Sequence, residues 1–271
     1  MAVNVLEPLQ GPQSDLTQFL TRILPNDQNI KFLFLMGSKN REHRTFRDIN
    51  LMADTALRLD GEGYDVYFAC ASFLQGEYLD TNGKRRQRTA ENAAAAGSFW
   101  LDIDCGEGKD YETQKQAVKA IEKFCVACDL PEPLLVNSGG GLHVYWPLDR
   151  AVPKDDWLPV AGRLKELTHN SAIRLYADDT RTADISSVLR PIGTHNWKPK
   201  YDGPLVTIVQ DGEPVKFDYF VSKIDDAIAK HASEKTTKSA PKDTTCESKI
   251  TASQLREILS YISADVDRGS G

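Results

Sequence analysis

Residues 98–104 read SFWLDID, a short apolar run that ends in two carboxylates. A run of this length and aromatic content predicts a buried β-strand. Residues i and i+2 of a strand point to the same face with Cα atoms about 6.5 Å apart, so we expect Asp102 and Asp104 to face the same way. Two such carboxylates suit a pair of Mg²⁺ or Mn²⁺ ions, which prefer oxygen ligands. A strand end whose acids face solvent is the competing interpretation, and the tripeptide alone favours it.

The segments around this strand predict a mixture of helices and strands. Residues 134–138 and 141–146, LLVNS and GLHVYW, indicate two strands that glycines join into a hairpin. Helices alternating with strands over most of the chain indicate an α/β or α+β domain. Apolar periodicity predicts helices over 15–24, 47–59, 111–128 and 154–168, and strands over 31–36, 64–73 and 205–210.

The composition excludes several classes of protein. The 271 residues include 33 Lys and Arg against 39 Asp and Glu, so the formal net charge is −6. With 41% hydrophobic and 27% charged residues, the chain resembles a soluble globular protein. No apolar run approaches the roughly 20 residues that cross a bilayer, and the N-terminus lacks the plan of a signal peptide, so we expect a cytoplasmic protein without a membrane partner. The acidic balance argues against nucleic-acid binding by bulk charge, which leaves only a local basic patch for that purpose.

The composition changes near residue 230. Residues 231–249 are rich in Lys, Ser and Thr without apolar periodicity, which predicts a flexible linker. Residues 250–271 begin with an apolar stripe at helical spacing that one helix cannot bury alone. We therefore expect a main domain over 1–230 and the start of a helical C-terminal domain over 250–271.

A second candidate site is the glycine-rich stretch SGGGLH that joins the two strands of the predicted hairpin. Its glycines, Gly139 and Gly140 among them, let backbone N–H groups approach an anion, while Ser138 and His143 add side-chain donors. Such a loop suits a triphosphate, although no Lys-Ser/Thr pair follows the glycines as in a P-loop. A flexible hairpin turn beside an unrelated histidine explains the stretch equally well.

A third candidate site lies in residues 177–200, ADDTRTADISSVLRPIGTHNWKPK. Asp179 or Asp184 offers a third carboxylate, and Arg190 and Lys198 place cations shortly after it. A third acid beside cations that hold phosphates suits phosphoryl transfer, where negative charge builds up on the leaving group. Read alone, the segment is explained better by a helix N-cap and a surface ion pair.

Taken together, the order and spacing of the three segments resemble the archaeo-eukaryotic primase superfamily, specifically the primase-polymerases of phages, plasmids and other mobile elements. The resemblance spans about residues 64–200. It implies an α+β catalytic domain with an RRM-like sheet half and an N-terminal α/β half. It also implies that Asp102, Asp104 and Asp179 hold two Mg²⁺ or Mn²⁺ ions, with Asp179 lying 11 positions before Arg190 and Asp184 the alternative.

The resemblance further implies template-directed nucleotidyl transfer from dNTP or NTP substrates, on single-stranded DNA with a primer. A helicase domain elsewhere in a longer protein is the expected partner. The segment RPIG departs from the arginine, aliphatic residue and Pro-Gly that are usual in the family, so its local turn is expected to differ. The nucleotide is expected to contact Ser138, Gly139, Gly140, His143, Arg190 and Lys198.

Two basic clusters are candidates for the nucleic-acid backbone in this acidic chain. Solvated loops explain each cluster at least as well. One cluster contains Arg85, Arg86 and Arg88, and the other contains Lys39 and Arg41.

Two other functions remain open at this stage. Haloacid-dehalogenase-like phosphatases also use an apolar strand that ends in DxD, and Asp179 with Asp184 resembles their later metal-binding pair. Such phosphatases leave the SGGGLH stretch unexplained. The second alternative is a catalytically silent replication-initiation or nucleic-acid-binding module, against which the three acids argue.

Overall fold

Two antiparallel sheets form the centre of the molecule, and the computed structural model describes residues 12–37 and 41–237. The predicted α+β class is confirmed. One sheet has four strands in the order β10 (Val188–Leu189), β3 (Asp65–Ala69), β1 (Lys31–Met36) and β2 (Arg41–Phe46). The other has five, in the order β11 (Thr207–Gln210), β8 (Leu134–Asn137), β9 (Gly141–Pro153), β7 (Ala93–Asp104) and β4 (Ala71–Phe73). A small separate hairpin contains β5 (Tyr78–Leu79) and β6 (Arg85–Arg86).

Helices cover the two sheets, and local signals define where several of them begin. Asp48 caps α2 by accepting from the backbone N–H groups of the first turn. Thr113 and Gln116 form a reciprocal capping box at the start of α3. The helices are α1 (Pro12–Ile23), α2 (Ile49–Gly61), α3 (Gln114–Cys128), α4 (Lys154–His169), α5 (Asp179–Thr182) and α6 (Phe217–Thr237).

The strand predicted over residues 64–73 is in fact two strands in different sheets. β3 belongs to the four-stranded sheet and β4 to the five-stranded sheet, with Cys70 between them. The Cys70 N–H donates to the Ser187 carbonyl instead of continuing either ladder. Alternation identified extended backbone here, but it carries no information about which sheet each half joins. This crossing connects the two sheets directly through the chain.

Aromatic side chains fill the space between the sheets and helices. Phe19 of α1 packs edge-on against Phe68 of β3 at 5.9 Å and against Tyr145 of β9 at 5.8 Å, measured between ring centroids. On α4, Trp157 stacks on Trp100 of β7 at 4.6 Å and donates its indole N–H to the Ser98 carbonyl. Because α1 contacts both sheets through one buried ring, it fixes their mutual position.

The last described helix extends into the segment that was predicted as a linker. α6 continues to Thr237 and so includes residues 231–237. The side chain of His231 is buried and its ring contacts the Ala127 carbonyl, which ties this part of α6 to the end of α3. The rest of the predicted linker, 238–249, and the predicted helical segment, 250–271, lie outside the described residues. Within the described residues, no helix is long and apolar enough to cross a membrane.

Candidate active site

The DxD acids lie at the end of β7, as the sequence predicted. β7 pairs with β9 in a register that sets Asp102 opposite His143 and Asp104 opposite Gly141. Asp102 is partly buried, whereas Asp104 is 57% exposed at the side chain. The pairing brings the first two candidate segments, DID and SGGGLH, side by side.

The glycine stretch forms a tight turn between β8 and β9. Gly139 adopts a left-handed φ of 81°, and its N–H donates to the Asn137 side chain at 2.8 Å. A Cβ at Gly141 would overlap the Ile103 carbonyl of β7, and a Cβ at Gly140 would overlap the ring of Tyr201. The close approach of the β7 backbone therefore requires glycine at position 141, whereas at position 140 the ring of Tyr201 would have to move.

Most of the predicted site residues converge on one pocket of about 230 Å³ between the two sheets. Gly139 is in the same turn but does not line the pocket. Tyr67 of β3 contributes to the opposite wall. The predicted residues that line the pocket are Asp102, Asp104, Ser138, Gly140, His143, Arg190 and Lys198.

Arg190 is held in a buried network rather than extended freely into the pocket. Its guanidinium donates to Asp65 at 2.6 Å and to the Tyr67 hydroxyl at 2.6 Å, and it lies 4.4 Å from the Tyr67 ring centroid. Asp65 also accepts from the Trp197 backbone N–H. The network fixes the whole 190–198 loop, and Asn196 ties this loop to the glycine turn by donating to the Ser138 carbonyl at 2.9 Å.

The environment of the pocket lowers the pKa of its histidine and raises the pKa of one of its aspartates. Burial, together with the charges of Arg190 and Lys198, lowers the pKa of His143 to about 3. Burial, together with the neighbouring charges of Asp104 and Asp178, raises the pKa of Asp102 to about 7. At neutral pH His143 is thus uncharged and able to donate one N–H, while Asp102 is only partly ionised despite the charges of Arg181 and Lys198.

Asp179, the predicted third acid, does not line the pocket that contains Asp102 and Asp104. Its carboxylate pairs with His169 at the end of α4. Asp178 is the acid next to the pair: its N–H donates to the Asp102 carbonyl at 2.7 Å, and its charge acts on Asp102. Asp184, the alternative, accepts from Ser186 within its own turn. Which of two adjacent aspartates lies next to Asp102 depends on the conformation of the turn that carries them, and the spacing of the motif does not specify that conformation.

Carboxylate oxygens are suitable ligands for a hard divalent cation, but two of the three carboxylates already contact other groups of the protein. Asp102, Asp104 and Asp178 offer only carboxylate oxygens, and the pKa of Asp102 is raised by burial and, in addition, by repulsion from the other two acids, which a cation would relieve. The Asp178 carboxylate caps α5 by accepting from Thr180, and Asp104 pairs with Lys109. Within residues 12–37 and 41–237, no three acidic, histidine or cysteine side chains already enclose a metal position.

Several pocket residues were not identified from the sequence. Lys109 contacts Asp104, and Arg181, Tyr67 and Tyr201 line the pocket. Asn196 lies inside the third motif, so its position in that motif was an available signal. The others come from loops and from the second sheet, and nothing in their local sequence distinguishes them.

The basic clusters have different environments. Arg85 and Arg86 of β6 pair with Glu77 at 3.0 Å and Asp80 at 2.8 Å on the surface of the small hairpin. Arg88 is instead partly buried, with its guanidinium 5.8 Å from the Phe34 ring centroid. Arg41 is exposed at the start of the edge strand β2. Lys39 lies outside the described residues.

Comparison with known proteins identifies the fold. No protein-family model matches the chain. An uncharacterized protein of Methanocaldococcus jannaschii is 27% identical over 146 residues, which cover 51% of this chain and only 11% of that protein.

Among solved structures, the AEP domain of the cyanophage S-2L primase-polymerase is similar with a TM-score of 0.56, at 17% identity over 78% of this chain and 97% of that one. Primase RepB′ is similar with a TM-score of 0.50, at 12% identity over 93% of this chain and 69% of that one. The chain therefore shares the fold of these primase and primase-polymerase domains.

Proposed function

We propose that this chain is a DNA primase-polymerase domain that catalyses metal-dependent, template-directed nucleotidyl transfer. The observation that carries the proposal is the convergence of the DxD pair, the glycine turn, His143, Arg190 and Lys198 on one pocket. Each feature alone has an ordinary structural explanation. A surface loop or a helix cap gives no reason for carboxylates and phosphate-binding groups to meet from three separate segments.

Asp102, Asp104 and Asp178 would hold the divalent cations, with Asp178 replacing the predicted Asp179. When bound, Mg²⁺ or Mn²⁺ activates a primer 3′-hydroxyl and stabilises charge on the leaving pyrophosphate. The role of the protein is to place three carboxylates close together, so that bound cations relieve their remaining repulsion. The charge that Asp178 exerts on Asp102 supports its membership of this set.

The opposite side of the pocket would bind the triphosphate. The Ser138 hydroxyl, the N–H groups around Gly139 and Gly140, and neutral His143 supply hydrogen-bond donors without adding charge beside the cations. Lys198 supplies a cation that lines the pocket. Arg190, held by Asp65 and Tyr67, presents its remaining N–H groups at a fixed position.

The remaining aspects of the proposal come from the resemblance. The template and primer would be single-stranded DNA, contacted through Arg41 and Arg88 rather than through Arg85 and Arg86, which already pair with acids. The protein would act in the cytoplasm during replication of a phage or other mobile element, alongside a helicase domain in a longer protein.

Primer extension tests the proposal. The whole chain is incubated with a primed single-stranded DNA template, dNTPs and Mn²⁺ or Mg²⁺, and products are separated by length. We expect extension by the unchanged chain and its loss, by at least about 100-fold, in Asp102→Asn, Asp104→Asn and Asp178→Asn. Asp179→Asn is the matched control, since it removes the adjacent carboxylate but leaves the pocket intact, and it should retain activity.

The other outcomes separate the competing functions. Loss of activity in Asp179→Asn with full activity in Asp178→Asn would contradict the assignment of the third acid. If the unchanged chain does not extend the primer, and if Asp102→Asn behaves in the same way, the result would favour the silent binding module. Phosphate release from phosphomonoesters should be absent, and metal-dependent release that requires Asp102 would favour the phosphatase.

A further inference from the structure

One acid of the proposed metal site already has a cationic partner. The Lys109 ammonium donates to the Asp104 carboxylate with 2.7 Å between Nζ and Oδ2. Among residues 12–37 and 41–237, no other lysine or arginine forms a hydrogen bond or ion pair with either carboxylate of the DxD pair. Lys109 therefore supplies the positive charge that balances Asp104.

The loop that carries Lys109 is built to return toward β7. Gly106 and Gly108 adopt positive φ values of 122° and 72°, which reverse the chain within a few residues. The Lys109 N–H donates to the Gly106 carbonyl, and the Gly106 N–H donates to the carbonyl of Tyr111. Tyr111 is buried and accepts from the Tyr176 N–H, so the loop is anchored at its far end. Lys109 is thus presented by a formed turn.

The ion pair itself contributes little to folding. The side chains of Lys109 and Asp104 are 41% and 57% exposed, and exposed pairs of this kind stabilise proteins by about 0–1 kcal/mol. The pair lies at a concentration of negative charge, because Asp178 also acts on Lys109. The position of Lys109 therefore affects the charge balance of the acidic side chains more than the stability of the fold.

We propose that Lys109 is an internal counter-ion for Asp104, which a divalent cation displaces, and that the released ammonium then binds the phosphates of the incoming nucleotide. This inference rests on the proposed function, since it assumes that Asp104 ligates the metal. Before metal binds, Lys109 balances the charge of Asp104. A cation that occupies Asp104 must break this ion pair, so Lys109 weakens metal binding while the nucleotide is absent.

Lys109 also couples the two ligands. A triphosphate at the adjacent glycine turn offers the ammonium a new set of oxygen acceptors, which compensates for the loss of Asp104. Metal and nucleotide therefore favour the same displaced position of the side chain, and each strengthens the binding of the other. The expected consequence is a site that binds cations weakly alone and more tightly together with the nucleotide.

Mn²⁺ binding to the whole chain, followed by the electron paramagnetic resonance of free Mn²⁺ at low ionic strength, tests the first half. Lys109→Met should bind Mn²⁺ about two- to fivefold more tightly than the unchanged chain, as expected for removal of a competing exposed ion pair. Lys109→Arg should bind like the unchanged chain, because it retains the charge. Lys119→Met is the matched control: Lys119 is exposed on α3, and its loss changes the net charge equally.

dATP binding in the presence of Mn²⁺ tests the second half. Lys109→Met should bind dATP more weakly by about fivefold or more, the loss expected for one charge-assisted contact to phosphate. The gain in Mn²⁺ affinity caused by dATP should also be smaller in this variant. Lys119→Met should change neither quantity.

The outcomes distinguish this inference from the proposed function. If Asp104→Asn abolishes Mn²⁺ binding but Lys109→Met leaves the Mn²⁺ and dATP affinities unchanged, the role of Lys109 is refuted while the metal site stands. If Lys109→Met and Lys119→Met tighten Mn²⁺ binding equally, the effect is one of net charge, and the inference is again wrong. If Asp104→Asn binds Mn²⁺ as well as the unchanged chain, the metal site and the inference fail together.

Discussion

Substitution of Asp65 by alanine should destabilise the fold and disorganise the 190–198 loop. Asp65 is buried, with 8% of its side chain exposed, and it pairs with Arg190, of which 3% is exposed. It also accepts from the Trp197 N–H at 2.9 Å. Asp65→Ala leaves a buried guanidinium without its carboxylate and removes the acceptor of that N–H.

The structure sets the size of this effect. Removing one partner of a buried, hydrogen-bonded ion pair costs about 3–5 kcal/mol, because the other charge stays buried and uncompensated. The Tyr67 hydroxyl and ring still contact Arg190, which favours the lower half of this range. With a urea m-value of about 3 kcal/mol/M, a loss of about 3–4 kcal/mol should lower the unfolding midpoint by about 1–1.3 M.

Urea unfolding followed by circular dichroism measures the effect, and a double-mutant cycle attributes it to the pair. Asp65→Ala combined with Arg190→Met removes both charges, so the double variant should be less destabilised than the sum of the single changes by about 2 kcal/mol or more. A loss below about 1 kcal/mol in Asp65→Ala, or simple additivity, would refute the argument. Both results would mean that water or a rearranged loop compensates Arg190.

Two further sites give predictions of different kinds. Gly141→Ala should destabilise the fold by about 1–3 kcal/mol in urea unfolding, because the added Cβ overlaps the backbone of Ile103. Gly140→Ala should destabilise it less, because the side chain of Tyr201 can rotate away. Equal losses of stability in the two variants would contradict this reasoning. Although burial alone would raise the pKa of Asp27, hydrogen bonds from Lys31, Ser72 and Asn29 lower it below its ordinary value of 3.8. Asp27 thus stabilises the fold above that pH, and the stability difference between the unchanged chain and Asp27→Asn should shrink on acidification through the lowered pKa. A difference that grows toward low pH would refute this assignment.

The sequence was sufficient for the part of the site that depends on local pattern. The apolar run before Asp102 and the glycines before His143 predicted a strand end and a hairpin, and β7 and β9 pair in the register that brings these residues together. Adjacent antiparallel strands need only alternation and a turn to be recognised. The strand end and the β8–β9 hairpin follow from short-range information, whereas the pairing of β7 with β9 does not, because α3 and β8 lie between these strands in the chain.

The rest of the site depends on contacts between distant segments. A backbone hydrogen bond from Asp178 to the Asp102 carbonyl brings Asp178, rather than Asp179, next to the DxD pair. The environment of Arg190 comes from Asp65 in another strand, 125 positions earlier in the chain. The edge strand β2, REHRTF, has too many charged residues for an apolar pattern and forms because β1 offers it a ladder. The secondary-structure propensities of the residues predict none of these three contacts.

The pocket is divided between two sheets, and this division explains how its charges are kept apart. The carboxylates and the glycine turn belong to the five-stranded sheet, whereas Arg190 is fixed by Asp65 and Tyr67 of β3 in the four-stranded sheet. Had Arg190 been free to reach Asp102, the two would neutralise each other and leave no site for a cation or a phosphate. The buried pair with Asp65 satisfies Arg190 on its own sheet, and the bond from Asn196 to Ser138 then sets the distance across the pocket. Lys109, on an exposed loop and without such an internal partner, is the cation that remains able to exchange Asp104 for a ligand.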